Sequence, residues 1–467
     1  MPYLSTRGEA PKLGFSDALL AGLARDGGLY VPEVMPTMAP AAIGALAGLP
    51  YAQAAARVVL PFADGALSES ELGAMADVAY AGFRHPAKAP LVQIDDNLHV
   101  LELFHGPTLA FKDFAMQWLG RLMNHVLRQR GARATIVGAT SGDTGAAAIE
   151  AFAGQSQTEI FILYPNGRVS DVQRRQMTTV DKPNVHTIAL EGNFDDCQAI
   201  LKGLFNDLPF RDALALSGVN SINWARIVAQ IVYYFTSAVS LGAPGRRVSF
   251  TVPTGNFGDI FAGFCAGRMG LPIERLVIAT NENDILARAL ATGVYETRGV
   301  VATQSPSMDI QISSNFERLL FEAYRRDSAE LRALMSNFAQ SGKFTIAPDR
   351  LRAIRDEFDA FSTNEVDCAA EMTRVYRESG YVLDPHTAIA VHAARRALAR
   401  DRATPMIVLG TAHPAKFPEA VEKAIGLRPA LPAHLADLTS RQERFTILPN
   451  DQGAVRRFIR ERASMQS

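Results

Sequence analysis

Several features that mark other classes of protein are scarce or missing in this sequence. Its 467 residues include only three cysteines, Cys197, Cys265 and Cys368, which are far apart and never form a Cys-x-x-Cys pair. This spacing disfavours a disulfide framework or a metal site and is typical of small buried side chains in a reducing compartment. The sequence has no run of eighteen apolar residues, and its first residues lack the apolar core of a signal peptide. We therefore expect a cytoplasmic protein without a membrane segment.

An excess of charge of either sign is also absent. The chain carries 47 basic and 48 acidic residues, for a net charge of −1, and no basic stripe is present. Nucleic-acid and membrane-surface binders need a positive field, so neither kind of partner is expected. A hydrophobic content of 48% and a mean hydropathy near zero are typical of a globular protein. The length is sufficient for at least two hydrophobic cores.

Short β-branched segments alternate with helical stretches over much of the chain. Seven segments are strand candidates: Leu98–Phe104, Ala134–Val137, Glu159–Leu163, Val185–Leu190, Arg247–Val252, Leu276–Ala279 and Pro405–Leu409. The alternation predicts parallel βαβ units and therefore an α/β fold. We divide the chain into an N-terminal lobe (1–95), an α/β region (96–240) containing a discontinuous smaller domain, and a larger α/β domain with C-terminal helices (241–467).

The segment His105-Gly-Pro-Thr-Leu-Ala-Phe-Lys-Asp-Phe places one amine at the start of a helix. Apolar residues at helical spacing predict that helix over Asp113–Arg130, with Asp113 as its N-cap. A lysine at a helix start is usually a solvated surface group. Here Phe111 and Phe114 flank Lys112, and the helix N-terminus disfavours its positive charge. A partly desolvated, neutral lysine is what Schiff-base chemistry needs.

Two glycine-rich loops have the strand–loop–helix context in which backbone amides converge on an anion. They are Thr140-Ser-Gly-Asp-Thr-Gly145 and Thr254-Gly-Asn-Phe-Gly-Asp259. Neither matches a Walker A or a G-x-G-x-x-G motif, and one such turn alone is weak support for a ligand site. We expect both loops at the carboxyl edge of one sheet, where α/β proteins bind ligands and where phosphate or carboxylate would be held.

One lysine and two anion loops together suggest pyridoxal phosphate. The cofactor's aldehyde would take Lys112, its phosphate one loop, and the substrate carboxylate the other. Thr411 follows the last predicted strand, so it could place a hydroxyl near the pyridine nitrogen.

With these motifs, the sequence resembles the threonine synthase family over essentially its whole length, and in particular the longer branch found in yeast and many bacteria. Six segments carry the resemblance: Tyr3–Arg7, Gly22–Pro32, Phe104–Gln117, Ala139–Gly145, Asn220–Arg226 and Pro253–Asp259. The resemblance implies a fold-type II pyridoxal-phosphate enzyme similar to the β subunit of tryptophan synthase. Two open, twisted, mostly parallel sheets flanked by helices are then expected, with an N-terminal cap lobe.

The same resemblance implies a cytoplasmic lyase that converts O-phospho-L-homoserine and water to L-threonine and phosphate, the final step of threonine biosynthesis. It makes Lys112 the Schiff-base residue and proton shuttle, and Thr411 the partner of the pyridine nitrogen. The implied phosphate cup consists of Gly255, Asn256, Phe257 and Gly258. The implied carboxylate contacts are Thr140, Ser141 and Thr144. We expect a monomer or weak homodimer.

Other residues have roles that the sequence leaves open. Asp143 stands where many fold-type II enzymes have an Asn beside the cofactor 3′-oxygen, and a carboxylate there would repel that oxygen unless a proton is shared. Asn223 and Arg226 are candidate ligands of the substrate phosphate, with Arg168 and Ser170 as weaker ones; a capped core helix is the alternative for Asn223. His105 and His413 are interpreted as packing histidines beside the cofactor, although either could act as a general acid.

The sequence leaves two alternative functions open. One is another fold-type II activity, such as threonine dehydratase or a β-replacing synthase. The other is a non-catalytic paralogue that binds phosphorylated metabolites or a partner protein.

Overall fold

The computed structural model describes residues 1–63 and 65–463; residues 464–467, the end of the third predicted region, lie outside the described residues. Within the described part of the chain, the strands are β1 Tyr3–Ser5, β2 Tyr30–Pro32, β3 Leu91–Asp95, β4 Leu98–Glu102, β5 Ala134–Ala139, β6 Thr158–Pro165, β7 Val185–Glu191, β8 Leu216–Ser217, β9 Val248–Pro253, β10 Ile273–Thr280, β11 Val294–Glu296, β12 Lys343–Thr345, β13 Phe358–Ser362, β14 Met406–Gly410 and β15 Thr446–Pro449.

Helices connect and cover these strands. They are α1 Phe15–Ala21, α2 Pro40–Gly44, α3 Tyr51–Ala63, α4 Glu69–Tyr80, α5 Lys112–Gln129, α6 Asp143–Phe152, α7 Asp171–Thr178, α8 Phe194–Asn206, α9 Leu208–Ala213, α10 Trp224–Ser240, α11 Gly258–Arg268, α12 Ile285–Thr292, α13 Phe316–Ala323, α14 Ser328–Ser341, α15 Pro348–Glu357, α16 Glu365–Ser379, α17 Pro385–Leu398, α18 Pro418–Ile425 and α19 Gln452–Arg462. In the part of the chain that the structure describes, no helix has both the length and the hydrophobicity to cross a membrane.

Two sheets form the centre of the molecule. The larger has the strand order β13-β10-β9-β14-β4-β3, and only the β3–β4 pair is antiparallel. The smaller has the order β15-β7-β6-β5-β8 and is parallel throughout. Every residue of β6 and of β14 is buried, because parallel sheets are covered by helices on both faces. The expected fold class, two mostly parallel sheets flanked by helices, is confirmed.

The seven predicted strands all exist, each within a few residues of its predicted bounds. The sheets, however, combine distant parts of the chain. Strands β3 and β4 join the larger sheet although most of its strands lie after residue 247, and β15 returns from the C-terminal part to the smaller sheet. The three contiguous regions proposed from the sequence therefore stay a prediction, and both sheets extend across their boundaries.

Helix α5 begins one residue earlier than predicted. Its first residue is Lys112, and Phe111 occupies the N-cap position without a side-chain cap. The prediction that Asp113 caps the helix is wrong, since its carboxylate instead accepts hydrogen bonds from the Thr108 N–H (2.8 Å) and hydroxyl (2.7 Å). Asp113 thereby fixes the turn that leads into Lys112.

Helices α5 and α6 approach closely at Gly120. A Cβ atom there would lie 2.6 Å from the Ala151 carbonyl oxygen and 3.1 Å from its carbon, both backbone atoms. Because α5 begins with Lys112 and α6 with Asp143, this contact also helps to set the separation of those two side chains.

We expect Gly120→Ala to destabilise the protein by about 1–3 kcal/mol, because overpacking against backbone outweighs the higher helix propensity of alanine. Urea unfolding would measure the loss. Gly73→Ala is the matched control: it also lies inside a helix, but its Cβ would meet only Ala56 Cβ at 4.0 Å, so stability should rise by about 0.5–1 kcal/mol. A Gly120→Ala variant as stable as the unchanged protein would contradict the close-contact argument.

Candidate active site

A cavity lies where the carboxyl ends of the two sheets meet. Its walls include Lys112, Thr144 and the loop between β9 and α11. The expectation that both glycine loops lie at the edge of one sheet is wrong: β5, which precedes the first loop, belongs to the smaller sheet, and β9, which precedes the second, to the larger. The loops still contribute to one cavity because the carboxyl ends of both sheets are turned toward it.

Lys112 is almost entirely buried in this cavity, with 11% of its side chain exposed. Its Nζ lies 3.3 Å from Asp143 Oδ2 and 3.5 Å from Ser307 Oγ. Burial lowers the pKa of Lys112; Lys416 and Arg226 add to this effect, and Asp143 opposes it. A lowered pKa increases the fraction of free amine, which is the form that attacks a carbonyl carbon.

The segment that precedes Lys112 is hydrogen-bonded to the segment that follows β14. The Phe111 N–H donates to the Thr411 carbonyl (2.9 Å), and the His413 N–H donates to the Leu109 carbonyl (3.0 Å). This pairing places the buried Thr411 in the same cavity as Lys112. Two segments separated by about 300 residues in sequence thus form one wall of the site.

Asp143 is the most highly coordinated side chain near Lys112. Its Oδ1 accepts from Lys416 Nζ (2.6 Å) and Gln173 Nε2 (2.8 Å), and its Oδ2 accepts from Lys112 Nζ (3.3 Å) and Ser307 Oγ (3.2 Å). Burial alone would raise the pKa of Asp143, but the ammonium groups of Lys416 and Lys112 hold it well below its usual range. The carboxylate is therefore ionised and satisfied by donors.

The first glycine loop is held by a hydroxyl of its own. Thr140 Oγ1 accepts from the N–H groups of Gly142 (3.0 Å) and Gly145 (2.9 Å), which folds the loop onto the start of α6. The hydroxyl hydrogen of Thr140 can still donate. Thr144 is half-buried and lines the cavity, so its hydroxyl can meet a ligand there, and Ser141 is exposed.

Two carbonyl groups of the second glycine loop accept hydrogen bonds from a neighbouring loop. Ser313 Oγ donates to the Gly255 carbonyl (2.7 Å), and the Asn315 N–H donates to the Asn256 carbonyl (3.0 Å). Phe257 adopts a left-handed conformation, with φ of 64°, immediately before α11. The first N–H groups of a helix have no acceptor within it. They and the helix dipole together favour an anion such as phosphate at this end of α11.

Three buried polar atoms beside this loop have no hydrogen-bond partner within the described residues: Arg226 Nε, Gln230 Oε1 and Asp259 Oδ2. All three side chains belong to residues that line the cavity. Burial lowers the pKa of Arg226 to about 10, with Tyr233 and Asp259 opposing the shift, so the guanidinium stays charged at neutral pH. Unpaired buried polar groups are rare in folded proteins, and here they indicate a polar ligand.

Asp259 gives the site a titratable group in the neutral range. It accepts hydrogen bonds from Tyr233 (2.5 Å) and Tyr234 (3.1 Å). Burial raises the pKa of Asp259 to about 7, although these two hydrogen bonds oppose the shift. Because the folded state then binds this proton more tightly than the unfolded state does, its stabilising contribution is complete below about pH 4. The contribution is lost as the pH rises through about 7.

We therefore expect Asp259→Asn to lessen the loss of stability between pH 4 and pH 8, by as much as about 4 kcal/mol. Urea unfolding of both proteins across that range would measure it. Asp77→Asn, at an exposed position of α4, is the control and should leave the pH dependence unchanged. If Asp259→Asn and the unchanged protein lose stability in parallel, the carboxyl does not titrate as inferred.

Some residues predicted from the sequence have other roles. Asn223 is fully buried and caps α10, because its Oδ1 accepts from the Ala225 N–H (3.0 Å) while its Nδ2 donates to the Leu19 carbonyl (3.0 Å). Both ends of the amide are thus engaged within the protein, in keeping with the alternative of a capped core helix. Arg168 is exposed, and Ser170, also exposed, caps α7.

The two histidines of the motifs make structural contacts. His105 Nε2 lies 2.6 Å from Glu102 Oε2, and His413 Nδ1 accepts from the Ala415 N–H (3.1 Å). Burial, reinforced by His105, lowers the pKa of His413 to about 4. The structure thus gives each histidine a packing partner, in keeping with the interpretation as packing histidines.

Three residues of the site were not found from the sequence. Ser307 and His386 line the cavity, and Lys416 is buried against Asp143. The Ser307 N–H donates to His386 Nε2 (3.4 Å), and His386 Nδ1 lies 2.8 Å from Asp384 Oδ1. A Cβ atom on Gly255 would lie 2.9 Å from the Ser307 carbonyl oxygen, so the glycine permits this close approach. The sequence Asp-Pro-His before a helix is only a capping signal, and Lys416 has no local signal beyond following the last strand.

The cavity residues fit one cofactor. A buried amine of lowered pKa suits an aldehyde, and the glycine loop at the start of α11 suits a phosphate group. Residues 84–409 match the family described as "Pyridoxal-phosphate dependent enzyme". The fold and site therefore define a pyridoxal-phosphate-dependent enzyme, as predicted from the sequence.

Comparison with known proteins narrows this class. Residues 2–80 match the family described as "Threonine synthase N terminus", and residues 387–459 match "Threonine synthase, C-terminal". The sequence is 54% identical to threonine synthase of Pseudomonas aeruginosa, over 98% of each chain. It is 42% identical to threonine synthase of Saccharomyces cerevisiae, over 91% of this chain and 89% of the other. The chain belongs to the threonine synthase family.

Solved structures of threonine synthases resemble this chain over its whole length. The PLP-bound threonine synthase from Brucella melitensis is 61% identical, with a TM-score of 0.96, and the alignment covers 99% of this chain and 100% of that one. Yeast threonine synthase gives 39% identity and a TM-score of 0.94 over 100% and 99%. A tomato threonine deaminase is 12% identical with a TM-score of 0.50, which shows a shared fold alone.

Proposed function

We propose that this enzyme converts O-phospho-L-homoserine and water to L-threonine and phosphate, with Lys112 as the residue that binds the cofactor covalently. In this reaction the Cγ–oxygen bond to phosphate breaks and Cγ gains a proton. Cβ loses a proton and gains the hydroxyl of water. The site must therefore hold an amino acid at both its carboxylate and its phosphate, and must move protons along three adjacent carbons.

The cofactor would be held at three points. Lys112 would bind its aldehyde, the loop of Gly255, Asn256, Phe257 and Gly258 its phosphate, and Thr411 the pyridine nitrogen. When bound, pyridoxal phosphate withdraws electron density from the α-carbon of an amino acid, which makes the Cα proton removable. A neutral hydroxyl at Thr411, unlike a carboxylate, would leave the pyridine nitrogen less protonated.

Lys112 is also the proposed proton carrier. Once substrate is bound, its Nζ is the amine that would take the Cα proton and deliver protons to the later carbons. The lowered pKa of Lys112, caused first by its burial, supports this role because an amine that stays protonated cannot accept a proton. Asp143 and Ser307, both within 3.5 Å of Nζ, orient the amine between transfers.

The two charged ends of the substrate have separate proposed contacts. Thr140, Ser141 and Thr144 would donate hydroxyl hydrogen bonds to its carboxylate at the start of α6. Arg226 would bind its phosphate, because the buried guanidinium has an unpaired Nε and lines the cavity. Arg168 is exposed and is the weaker candidate for this role.

The observation that carries the proposal is the buried Lys112 amine in one cavity with the glycine loop before α11. Purified enzyme loaded with pyridoxal phosphate would be assayed for release of inorganic phosphate and L-threonine from O-phospho-L-homoserine, with L-homoserine as the control that lacks a leaving phosphate. We expect equal amounts of both products, and none from L-homoserine.

The same preparation separates the alternatives. Ammonia released from L-threonine without phosphate released from O-phospho-L-homoserine would indicate a dehydratase. Protein that takes up no pyridoxal phosphate would indicate a non-catalytic paralogue. Either result would contradict the proposed reaction.

A further inference from the structure

A second buried lysine binds the carboxylate that faces Lys112. Lys416 ends the 3₁₀ helix Pro414–Lys416, which follows β14, and none of its side chain is exposed. Its Nζ lies 2.6 Å from Asp143 Oδ1 and donates to the Thr108 carbonyl at 2.8 Å. Lys112 contacts the other oxygen, Oδ2, at the longer distance of 3.3 Å.

Asp143 is thus in contact with two lysines, but only Lys416 can stay beside it throughout the reaction. If Lys112 binds the cofactor, as in the proposed function on which this inference rests, its amine must leave Asp143 and later return. A buried carboxylate that loses its only cation is strongly disfavoured. Lys416 prevents that loss, because it is fixed by two contacts that do not involve Lys112.

We propose that Lys416 is a positioning residue of the active site: its ammonium is the permanent counter-ion of Asp143 and leaves the amine of Lys112 free to exchange between that carboxylate and the cofactor. The ammonium of Lys416 also explains how a carboxylate at position 143 can lie beside the cofactor 3′-oxygen. Asp143 is balanced by a cation, so it needs no shared proton.

The surrounding charges identify which group Lys416 controls. The titratable groups near it are Asp143 on α6, Lys112 and Asp113 on α5, and His413 in the preceding turn. Asp113 is turned toward Thr108, which donates to both of its carboxylate oxygens. Asp143 is the carboxylate that forms an ion pair with Lys416 within the described residues.

The test uses the full chain freed of cofactor and then mixed with pyridoxal phosphate. The rate of covalent attachment is followed by visible absorption from pH 6 to pH 10, and the attached lysine is identified by borohydride reduction and peptide mass spectrometry. In Lys416→Met, Lys112 is the one remaining cation on Asp143 and stays protonated. We expect attachment at pH 7 to slow about tenfold and the midpoint of the pH profile to rise by about one unit.

Two further variants show that charge, not bulk, causes the shift. Lys416→Arg keeps the cation and should keep the midpoint of the unchanged protein. The double variant Asp143→Asn/Lys416→Met removes both buried charges and should also return close to that midpoint. A Lys416→Met midpoint equal to that of the unchanged protein would overturn the proposal.

If Lys416→Met does not fold, a second pair of variants still tests the proposal. Asp143→Asn and the double variant differ only at Lys416, and the double variant should have the higher midpoint by about one unit because it lacks the repelling cation. Equal midpoints would overturn the proposal. Failure of the proposed function is a separate outcome: the unchanged protein would then carry the reduced cofactor on a lysine other than Lys112.

Discussion

The Lys112→Ala variant is expected to form threonine from O-phospho-L-homoserine at least about a thousandfold more slowly than the unchanged enzyme. Its methyl group can neither bind the cofactor aldehyde nor carry a proton, so two functions are lost with one amine. The visible absorption of lysine-bound cofactor should disappear as well. Phosphate release and the absorption spectrum would be measured on the same preparation.

This loss should not arise from unfolding. When Lys112 is removed, Asp143 still has Lys416 at 2.6 Å and Gln173 at 2.8 Å, so no buried carboxylate is left without a cation. The variant should therefore unfold at nearly the same urea concentration as the unchanged protein. Lys202→Ala, at an exposed position of α8, is the control and should alter neither activity nor spectrum.

Two results would contradict the proposed role of Lys112. Turnover by Lys112→Ala without added amine would show that another residue supplies the proton transfer. Cofactor that remains reducible onto the variant chain would identify that residue by peptide mapping. A variant that is inactive only because it is unfolded would show itself in the urea curve.

Much of the fold was predictable because buried parallel strands produce near-continuous apolar segments. The strand predicted over Glu159–Leu163 extends to Thr158–Pro165, and all of its residues are buried. Its sheet partners were less predictable. Pairing depends on packing between distant segments, and no local pattern assigns β4 and β14 to one sheet.

Local polar signals were less reliable than apolar ones. Asp113 and Asn223 each stand at the start of a helix, where a side chain can cap the helix or face a ligand. Asp113, predicted as a cap, accepts hydrogen bonds from Thr108 instead, whereas Asn223 caps α10, which was the alternative to a phosphate ligand. The same short polar side chain can satisfy either set of donors, so tertiary contacts decide.

The residues around Asp143 could not be found from the sequence for a related reason. Ser307 and Lys416 lie in short 3₁₀ helices, and His386 lies in the first turn of α17. All three are more than 150 residues from Asp143 in sequence, and none is marked by a local pattern. They meet because the carboxyl ends of the two sheets are turned toward one cavity. The lysine and the two glycine loops were found because each has a recognisable local pattern.

Arg226→Ala is expected to weaken the interaction with O-phospho-L-homoserine by roughly 100-fold, or about 3 kcal/mol, while cofactor affinity changes less than about threefold. The guanidinium is buried, charged and unpaired at Nε, so a phosphate that binds it gains charge-assisted hydrogen bonds in a site of low dielectric. KM for the substrate and the dissociation constant of pyridoxal phosphate would be measured on the same variant.

Two comparisons make the assignment specific. Arg226→Lys keeps a point charge but loses the planar pair of donors, so it should fall between the alanine variant and the unchanged enzyme. Arg168→Ala removes an exposed arginine and should raise KM by no more than about fivefold, because an exposed ion pair contributes at most about 1 kcal/mol.

Arg226 lies near both proposed phosphate sites. The loss of substrate affinity relative to the loss of cofactor affinity therefore decides which phosphate it binds. It lines the cavity together with the loop before α11, where the cofactor phosphate is expected. Equal weakening of substrate and cofactor would reassign Arg226 to the cofactor phosphate. Unchanged affinity for both would mean that the buried guanidinium serves neither, and the substrate phosphate would then have to be sought among the hydroxyl groups at the start of α6.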